Sequence, residues 1–430
     1  MKKNMNHIDT REKNDMTDHT NDLRIVVKAL AAEGARPNEL ARTMLPHPLV
    51  YQELPYDPEF CIYNGRLMST NMSNATPDQM YWSVRRQVMI RHTGELPLEV
   101  RGPDAEKLLD RVFTRDISKV KVGRCSYQFA CYDDGGMITD GILMKLADNQ
   151  FWYVQADGDL FSWFKAHARG LDVEVFDPGV WVSQVQGPLS LEVLAAAVDG
   201  GQPEPFRYFD IVEVRIAGQK VTLSRTGFTN ELGWELYLGP EADARAVGDR
   251  ILEAGEPHEM LLVASHASRP RRIEAGILNA GSDFDETVTP FVAGLGEFVD
   301  LEKADFIGKS ALQAADRRRR TWGMRVQGGI ALIGDVLTKD GTPAGIVCSS
   351  AWSPFQQCGV AIVRLIDPDL GPGTTLEVEC TSGERRPAVI CETPMYDQKR
   401  EIPRGKLVNI PEIPDDVVRW YPWQHANASD

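Results

Sequence analysis

The chain has 430 residues, a formal net charge of −15 and 43% hydrophobic residues. This length suits two or three packed units with an ample interior. The negative charge argues against nucleic acid or an anionic membrane surface as the main partner, because either would need a broad basic face. The seven cysteines include no CxxC pair and are odd in number, which favours buried thiols in a reducing, cytoplasmic interior.

The start of the chain is predicted to differ from its middle. Residues 1–22 are polar and almost free of large apolar side chains, so we expect a disordered tail. Residues 23–80 are predicted to form an extension of short helices and loop rich in Pro and Tyr. No apolar run reaches transmembrane length and no signal-peptide core is found at the start. We therefore expect a cytoplasmic protein without membrane contact.

Strands alternate with helical segments between residues 81 and 320, which predicts an α+β domain. The helical segments include 102–113, 242–254 and 309–316. From 321 to 400 the pattern changes to short strands separated by Asp-Gly, Gly-Pro-Gly and Ser-Gly turns, as in a small antiparallel β-barrel. Residues 401–430 are predicted as a Pro-rich tail, whose aromatic residues are candidates to dock on the domain or on a second copy of the chain. These aromatic residues are Trp420, Tyr421 and Trp423.

The stretch RTGFTNELGWELYL, residues 225–238, joins a glycine-containing turn to a strand. Side chains alternate between the two faces of a strand, so Glu235 and Tyr237 share one face and Trp234 lies on the other. A single carboxylate among aromatic side chains needs a partner. Two interpretations are open: a salt bridge to an arginine such as Arg225, or a binding site for a flat, polar heterocycle.

Several catalytic motifs are missing from the sequence. It contains no GxGxxG at a strand-to-helix turn, no GxxxxGK[ST] and no GxSxG, so dinucleotide redox, P-loop and α/β-hydrolase chemistry lack support. The eight histidines are scattered, with none paired at metal-ligand spacing, and a metal site is not expected. Positioned carboxylates, arginines and aromatic residues remain as the candidate binding groups.

The 225–238 stretch resembles the RTGYTGEDGFE segment of the glycine-cleavage T-protein (aminomethyltransferase) family of tetrahydrofolate-binding enzymes. Further similar segments follow in family order from about residue 80 to about residue 400: GRCSYQFACYDDGGMITDGILMKL (123–146), VSQVQGP (182–188), RRIEAGI (271–277), TPFVAGLGEFVDLEKADFIGKSAL (289–312) and AGIVCSSAWSP (344–354). The resemblance implies an α+β folate-binding domain of several subdomains, a C-terminal antiparallel β-barrel, and tetrahydrofolate as cofactor. The PFRYFD segment (205–210) is most similar to the dimethylsulfoniopropionate demethylase branch.

The resemblance also implies which residues bind the cofactor. Glu235 takes the place of the carboxylate that accepts an N–H and an amino group of the pterin in a bidentate fork, with Tyr237 beside the ring. Arg272 matches the family's folate-binding arginine; the alternative is a surface ion pair with an acid such as Glu274 or Glu253.

Three more cofactor contacts follow from the same comparison. Tyr127 matches the family's tyrosine before the Gly-Gly turn, and a core tyrosine is the alternative. Gln155 stands where the family usually has asparagine, and we expect it near the pterin edge. Tyr208, in the PFRYFD segment, is the last predicted cofactor contact.

The turn after Gly135-Gly136 departs from the family. Aminomethyltransferases carry two consecutive aspartates there, and the first is held to be essential for handling the aminomethyl group. In this chain Thr139 replaces the first and only Asp140 remains, so we expect that the pocket no longer assists methylene transfer from an amine. Tyr127, Thr139 and Asp140 are the candidate catalytic residues, although Asp140, on a mostly apolar strand face, needs hydrogen-bond donors and is expected to be structural first.

Three aromatic residues are candidate substrate contacts. Phe228 lies where the family often has tyrosine, and an aromatic ring there can attract a methylated onium group by about 0.5 to 2 kcal/mol. Trp234 and Trp82 are the other two. For Trp82 a place on the surface of a helix is an equally good interpretation.

Together these features predict a tetrahydrofolate-dependent methyltransferase, a demethylase, that forms 5-methyltetrahydrofolate. Its methyl donor is expected to be a small molecule such as a sulfonium, a methyl ether, a methylated amine or a halomethane. The alternatives are an aminomethyltransferase that acts with a lipoyl carrier protein, and a non-catalytic folate-binding protein. The KGCYxGQE stretch that marks the folate-binding proteins of iron–sulfur maintenance is missing. A homo-oligomer is compatible with the sequence.

Overall fold

The computed structural model describes residues 44–156 and 158–414. The predicted disordered tail at 1–22 and the aromatic residues at 420–423 lie outside the described residues, as does most of the predicted helical part of the N-terminal extension. The predictions for the rest of the chain can be compared with the structure directly.

The described chain contains strands and helices from one end to the other. The strands are β1 (Glu59–Tyr63), β2 (Arg66–Asn71), β3 (Met89–His92), β4 (Leu96–Arg101), β5 (Arg124–Cys131), β6 (Met137–Ala147), β7 (Gln150–Gln155), β8 (Glu174–Phe176), β9 (Trp181–Gln186), β10 (Ile211–Ile216), β11 (Gln219–Ser224), β12 (Gly233–Leu238), β13 (Leu261–Leu262), β14 (Thr321–Val326), β15 (Val336–Lys339), β16 (Thr342–Ser353), β17 (Cys358–Leu365), β18 (Thr375–Glu379) and β19 (Arg385–Cys391). The α-helices are α1 (Pro77–Arg86), α2 (Ala105–Val112), α3 (Leu160–His167), α4 (Ser190–Ala197), α5 (Ala244–Gly255), α6 (Ser265–Ala275), α7 (Pro290–Ala293) and α8 (Lys309–Ala314).

Strands β1 and β2 form a hairpin where the sequence was expected to be loop. Tyr63 pairs with Arg66, so the turn contains only Asn64 and Gly65. Both turn residues have positive φ, 53° and 70°, which is the two-residue turn that Asn-Gly favours. The prediction overlooked this dipeptide, because the flanking strands show no clear alternation of apolar residues.

Strand β12 lies inside a six-stranded sheet of order β10-β11-β12-β9-β3-β13, in which only the β3–β13 pair is parallel. One face of this sheet packs on helices α4 and α5. Trp234 and Leu236 of β12 belong to the core on that face, together with Leu194 and Ile251 of the helices. The alternation predicted along β12 is confirmed, because Tyr237 packs on the opposite side.

A five-stranded antiparallel sheet of order β5-β6-β7-β4-β8 lies beside the first. Its outer face packs on helices α2 and α3 through a core that includes Leu143, Phe151 and Phe164. Its inner face meets the six-stranded sheet: Cys125 and Met144 pack in one cluster with Tyr237. Glu235 alternates in phase with Tyr237 and therefore lies on this inner side, between the sheets.

The predicted C-terminal barrel is confirmed as a closed antiparallel barrel of order β14-β17-β16-β15-β18-β19. Its interior is apolar and contains Met324, Leu337 and Ala361. The outside of the barrel packs on the preceding lobe in a cluster shared by Ile362 and Phe284. The mixed α+β fold with a C-terminal barrel thus agrees with the prediction.

The chain beyond the barrel differs from the predicted tail. Asp397 accepts hydrogen bonds from the backbone N–H groups of Glu401 and Ile402, both at 2.9 Å, which folds the chain into a compact loop. Ile402 and Pro403 are buried, and Pro403 O accepts from Arg225 Nη2 at 3.2 Å. Residues 395–405, which we call the C-terminal loop, therefore pack against the sheet domain.

Within residues 44–156 and 158–414, no helix combines the length and apolar character that a membrane crossing requires. The same residues hold no group of three or more His, Cys, Asp or Glu side chains suited to a metal ion. All seven cysteines are free thiols, and all except Cys61 are buried.

Candidate active site

The turn before β12 wraps around the side chain of Gln186. A Cβ at Gly227 or at Gly233 would collide with that side chain, so both glycines are needed for close approach. Gln186 Nε2 donates to Thr226 O at 3.1 Å, and Gln186 Oε1 accepts from Thr229 Oγ1 at 2.9 Å. This arrangement fixes the turn and holds Thr226 next to β12.

The carboxylate of Glu235 is buried and is held by neutral donors. Gln184 Nε2 donates to Oε1 at 2.7 Å, Tyr237 Oη donates to Oε2 at 3.1 Å, and the Thr226 hydroxyl also donates to Oε2. Burial raises the pKa of Glu235 above its ordinary value, although these hydrogen bonds oppose the shift. The described residues place no cationic side chain at ion-pair distance from Glu235; Arg91, which bonds to the intervening Gln184, lowers the pKa of Glu235 from farther away.

The proposed salt bridge between Arg225 and Glu235 is wrong. Arg225 Nη1 donates to Gly233 O at 3.0 Å, and its Nη2 donates to Pro403 O at 3.2 Å. The guanidinium thus joins the turn to the C-terminal loop and does not reach the carboxylate.

Polar atoms without partners lie beside Glu235. Arg91 Nη2 donates to Gln184 Oε1 at 2.7 Å, but Arg91 Nε and Glu95 Oε2 are buried without a hydrogen-bond partner among the described residues. Burial raises the pKa of Glu95 to about 7, with Arg91 opposing and Glu235 adding to the shift. Because unpaired buried polar atoms are costly, this group is suited to a ligand that offers an acceptor to Arg91 Nε and a polar hydrogen to Glu95 Oε2.

Tyr127 and Asp140 form a second polar pair. Tyr127 Oη donates to Asp140 Oδ2 at 2.6 Å across neighbouring strands. Burial raises the pKa of Asp140 to about 6, and the Tyr127 hydrogen bond opposes this shift. Burial and the nearby Asp140 raise the pKa of Tyr127 above its ordinary value. Asp140 has therefore found the donor that its apolar strand face required. Tyr127 is half-buried and packs against a hydrophobic cluster, and its contact with the cofactor stays a prediction.

Thr139 is completely buried at 0% exposure. Its hydroxyl lies 3.4 Å from Asp140 O, and a Cβ added at Gly158 would approach the Thr139 side chain. Since neighbouring residues of a strand point to opposite faces, Thr139 and Asp140 face different sides of β6. The position at which the family resemblance expects an acid holds a buried hydroxyl.

Arg272 makes a buried ion pair. Its Nη1 donates to Asp283 Oδ2 at 2.6 Å, and its Nη2 donates to Ser349 Oγ at 2.8 Å. The predicted alternative, a surface pair with Glu274 or Glu253, is wrong because the partner is Asp283 and both side chains are buried. Arg272 and Asp283 both influence the pKa of Asp140, which places Arg272 near the Tyr127–Asp140 pair; its contact with the cofactor stays a prediction.

Gln155 and Tyr208 lie at different places around this site. Gln155 Oε1 accepts from the backbone N–H of Leu160 at 2.8 Å, and its Nε2 donates to Asn64 Oδ1 at 3.1 Å, so it anchors the start of α3. Its contact with the pterin stays a prediction. Tyr208 is half-buried; burial raises its pKa, while Arg400 opposes the shift.

The three candidate substrate contacts lie in different surroundings. Trp234 is 0% exposed and its indole N–H donates to Ser190 O at 2.8 Å, so it belongs to the core and its predicted substrate contact is wrong. It lies on the helix-facing side of β12, away from Glu235. Trp82 is buried in α1 against Tyr81, with the ring centroids 5.3 Å apart, which rules out a place on the helix surface. Phe228 is half-buried in the turn.

Sequence reasoning missed Arg400 of the C-terminal loop. Its Nη1 donates to Asn230 Oδ1 at 3.3 Å and its Nη2 to Ala275 O at 3.2 Å. It lowers the pKa of both Tyr127 and Tyr208, against the larger effect of burial, which places its positive charge close to both hydroxyls. No periodicity or motif in the residues after the barrel indicated this position.

A cluster of buried charges lies on the far side of the same turn. Glu231 Oε1 accepts from Arg85 Nη1 at 2.5 Å and from Arg271 Nη2 at 2.6 Å. Arg271 also pairs with Glu274, whose Oε1 accepts from Ser353 Oγ of the barrel at 2.5 Å. We call these four charged residues the ionic cluster; it ties the turn to α1, α6 and the barrel.

Comparison with known proteins agrees with this arrangement. The family model of the GCVT N-terminal domain matches residues 27–303, and that of the glycine cleavage T-protein C-terminal barrel domain matches residues 319–397. The chain belongs to the glycine-cleavage T-protein family. The protein is thus a folate-dependent enzyme of that family, and tetrahydrofolate is its cofactor.

Relatives of this T-protein family member carry different names. The chain is 33% identical over 322 residues to an aminomethyltransferase of Clostridium botulinum, a match that covers 72% of this chain and 85% of that protein. It is 32% identical over 369 residues to trimethylamine-oxide aldolase of Ruegeria pomeroyi, over 80% of this chain. The chain spans only 46% of the length of that second relative.

A solved structure shares the fold of this T-protein family member. The glycine cleavage system aminomethyltransferase T from Bartonella henselae aligns with a TM-score of 0.74 at 24% sequence identity. The alignment covers 82% of this chain and 98% of that structure.

The residues present fit tetrahydrofolate at Glu235. Glu235 Oε1 accepts one hydrogen bond within the protein, and each carboxylate oxygen has two acceptor positions, so it can accept another from the pterin. Glu95 Oε2, buried and without a hydrogen-bond partner among the described residues, offers a second acceptor. Glu235 would hold the pterin edge, and Tyr208 and Arg400 would border the same space.

Proposed function

We propose that this protein is a tetrahydrofolate-dependent demethylase, which moves a methyl group from a small methylated donor to N5 of tetrahydrofolate. The observation that carries the proposal is the pair Thr139 and Asp140. The first acid that the family uses for the aminomethyl group is replaced by a buried threonine. The remaining acid accepts a hydrogen bond from Tyr127, so it is positioned for electrostatic work.

Bound tetrahydrofolate would supply N5 as the nucleophile for the methyl group. The donor heteroatom would keep the electron pair of the bond that breaks, and the N–H proton of N5 would pass to solvent. The work of the chain is alignment, because placing two reactants in near-attack geometry supplies roughly 7 to 11 kcal/mol. Glu235 is the residue that would orient the pterin, since its side chain is itself fixed by Gln184, Thr226 and Tyr237.

The Tyr127–Asp140 pair suits a cationic methyl donor. With a pKa of about 6, Asp140 is mostly ionised at pH 7, and its negative charge favours a sulfonium or quaternary ammonium group nearby. Such a donor becomes neutral when it loses the methyl cation, so a sulfonium needs no acid catalyst. A methyl ether is a poorer leaving group, and Tyr127 is then the candidate proton donor.

A second candidate function is aminomethyl transfer with a lipoyl carrier protein. It is favoured by the matches to aminomethyltransferases at 33% identity over 72% of this chain. Thr139 argues against it, because the family's essential acid is missing.

The test is to incubate the protein with tetrahydrofolate and single methyl donors without oxygen, and to identify the folate product by mass. The panel contains a sulfonium, a betaine, trimethylamine oxide, an aryl methyl ether, a halomethane, and glycine with its lipoyl carrier. Formation of 5-methyltetrahydrofolate from one donor supports the proposal. Formation of 5,10-methylenetetrahydrofolate from the carrier-bound amine alone would show aminomethyl transfer and overturn it.

A control variant separates the two functions. Thr139→Asp restores the acid of the aminomethyltransferases at its family position. If the proposal is right, the wild-type protein forms the methyl product and this variant gains no more than a trace of methylene product. If the wild-type protein is inactive and Thr139→Asp forms much methylene product, the result contradicts the demethylase proposal. It would favour a chain derived from an aminomethyltransferase that has lost its acid.

A further inference from the structure

Arg91, Gln184 and Glu235 lie in one row across three neighbouring strands. Arg91 of β3 pairs with Gln184 of β9, and Gln184 pairs with Glu235 of β12. Side chains at paired positions point to the same face of a sheet. Hydrogen bonds join the row: Arg91 Nη2 donates to Gln184 Oε1 at 2.7 Å, and Gln184 Nε2 donates to Glu235 Oε1 at 2.7 Å.

The chemistry of the three side chains fixes the direction of these hydrogen bonds. A guanidinium can only donate, so the carboxamide of Gln184 must turn its oxygen to Arg91 and its amino group to Glu235. An ionised carboxylate can only accept, which fits this orientation. The row therefore has a single polarity, with a donor at Arg91 and an acceptor at Glu235.

The guanidinium of Arg91 has one nitrogen that is not used. Nη1 donates to Ser268 Oγ of α6 at 2.5 Å, whereas Nε is buried without a hydrogen-bond partner among the described residues. Nε shares one edge of the planar guanidinium with Nη2, so the free N–H lies beside the contact with Gln184. Arg91 is only 5% exposed. Because an unpaired buried N–H is costly, this nitrogen favours a ligand that brings an acceptor.

The free N–H of Arg91 belongs to a charged group. Burial lowers the pKa of Arg91, while the nearby Glu95 and Glu235 oppose the shift. An arginine keeps its proton in a protein, so this nitrogen is a donor at every pH at which the protein is folded. A charged donor binds a carbonyl oxygen more strongly than a neutral donor does, and it repels the hydrogens of an amino group in the same place.

We propose that Arg91 is a specificity-determining residue, whose Nε–H binds the ring carbonyl of tetrahydrofolate next to the N–H groups that Glu235 holds. The pterin edge carries, in order, a carbonyl oxygen at C4, an N–H at N3 and an amino group at C2. The protein offers a donor at Arg91 followed by the acceptor oxygens of Glu235. The inference rests on Glu235 as the residue that holds the pterin edge, and not on the methyl transfer.

The arrangement predicts which ring edge the site rejects. In the 4-amino analogue of tetrahydrofolate, an amino group replaces the carbonyl and N3 carries no hydrogen. That edge would place hydrogens against Arg91 and a ring nitrogen without a hydrogen against Glu235. Both mismatches leave buried polar groups without partners, and a site built to hydrogen-bond its ligand discriminates strongly against such an analogue.

The test measures dissociation constants by calorimetry for tetrahydrofolate and for its 4-amino analogue, without oxygen and without a methyl donor. The proteins are the wild type, Arg91→Gln and Arg386→Gln. The last is the matched control, because Arg386 pairs with Glu384 on the barrel surface. The deciding quantity is the ratio of the two dissociation constants. A variant that is only less well folded weakens both ligands together and leaves this ratio unchanged.

We expect the wild type and Arg386→Gln to bind tetrahydrofolate roughly 10- to 100-fold more tightly than the analogue, the usual effect of a hydrogen bond to a charged group. Arg91→Gln should lose most of this preference. A wild-type protein that binds both ligands equally would overturn the proposal, and this measurement stands even if Arg91→Gln does not fold. An Arg91→Gln protein that keeps the wild-type ratio would also overturn it, and would show that Arg91 only supports the sheet.

A second variant tests the premise about Glu235. Glu235→Gln should weaken binding of tetrahydrofolate, and unchanged affinity would place the pterin elsewhere and overturn the proposal. These measurements need no turnover. The proposal can therefore fail while methyl transfer is observed, and methyl transfer can fail while the ratio changes as expected.

Discussion

Glu231 and Glu235 lie four residues apart on one turn and strand, and both are buried, yet their surroundings are opposite. Glu231 is held between two arginines, at 2.5 Å from Arg85 and 2.6 Å from Arg271. Glu235 is held by Gln184 and other neutral donors, without a cation at ion-pair distance among the described residues. The first carboxylate has its charge compensated by two direct ion pairs, and the second has no direct ion pair with a described residue.

The difference indicates where the fold is stabilised and where a ligand is bound. A buried carboxylate whose partners are both cations joins the parts of the protein, and removing it leaves charges without partners. A buried carboxylate with only neutral donors lowers the stability of the fold. Groups that are buried for binding commonly have this cost. The Tyr127–Asp140 pair belongs to the second kind, because burial raises the pKa of Asp140 to about 6.

Breaking the ionic cluster should have the largest effect on stability. Glu231→Gln leaves the buried Arg85 and Arg271 without a shared anion, and we expect a loss of about 3 to 5 kcal/mol in the free energy of unfolding. Urea denaturation measures this loss. The control is Glu213→Gln, which breaks an exposed pair with Lys220 and should cost less than about 1 kcal/mol. Similar small losses in both variants would remove the distinction between Glu231 and Glu235.

Removing the charge of Asp140 should instead increase the free energy of unfolding. Because the pKa of Asp140 rises from 3.8 to about 6 on burial, the folded state holds a proton that the unfolded state has lost between these pH values. The wild-type protein therefore loses stability from this group as the pH rises from about 4 to about 6. Asp140→Asn should gain up to about 3 kcal/mol above pH 6 and nothing below about pH 4.

Thermal unfolding of wild type and Asp140→Asn across this pH range checks the sign. The asparagine oxygen can still accept from Tyr127, so the strands should stay in place. Rates with a cationic methyl donor should fall in the same variant, since the negative charge is gone. A variant that is less stable than wild type at pH 8 would show that Asp140 is ion-paired and structural.

The turn that separates the two carboxylates is predicted to be intolerant of a side chain. Gly227→Ala would drive a Cβ into Gln186, and overpacking of this kind costs about 1 to 3 kcal/mol. Gly371→Ala is the control, because a Cβ there meets only a ring atom of Trp322 at 4.0 Å. Tetrahydrofolate affinity should fall in Gly227→Ala alone. Unchanged affinity and stability would mean that the turn adapts and does not fix Thr226.

The smallest effect is expected from Tyr237→Phe. This change removes one donor from Glu235 Oε2, at 3.1 Å, and keeps the ring in the core between the sheets. A single hydrogen bond contributes about 0.5 to 1.5 kcal/mol, so the dissociation constant of tetrahydrofolate should rise by a few-fold to about 10-fold. Fluorescence titration measures it, and a loss of folding would show that the hydroxyl supports the core instead.

The sequence predicts local features of this fold well. The two-residue period of β12 separated Trp234 from Glu235, because side-chain direction in a strand depends only on position. The Asp340-Gly341 turn, with both residues at positive φ, indicated a hairpin of the barrel for a similar local reason. The same rule applied to Asn64-Gly65 would have predicted the β1–β2 hairpin.

Partner choice could not be predicted in the same way. Arg272 pairs with Asp283, and Arg225 bonds to Pro403 O; both partners are set by how distant segments pack. The position of Arg400 depends on the compact C-terminal loop. Trp234 was predicted to contact substrate from its residue type, although its strand face already indicated the core.

The most direct test of the comparison between Glu231 and Glu235 is the affinity of Glu235→Gln for tetrahydrofolate, measured by calorimetry. The unfolding of the same protein is followed in the same buffer. We predict that the dissociation constant rises by roughly 10- to 100-fold, because a charge-assisted hydrogen bond is lost, while the free energy of unfolding stays level or increases. Unchanged affinity, or a loss of stability like that of Glu231→Gln, would contradict the account.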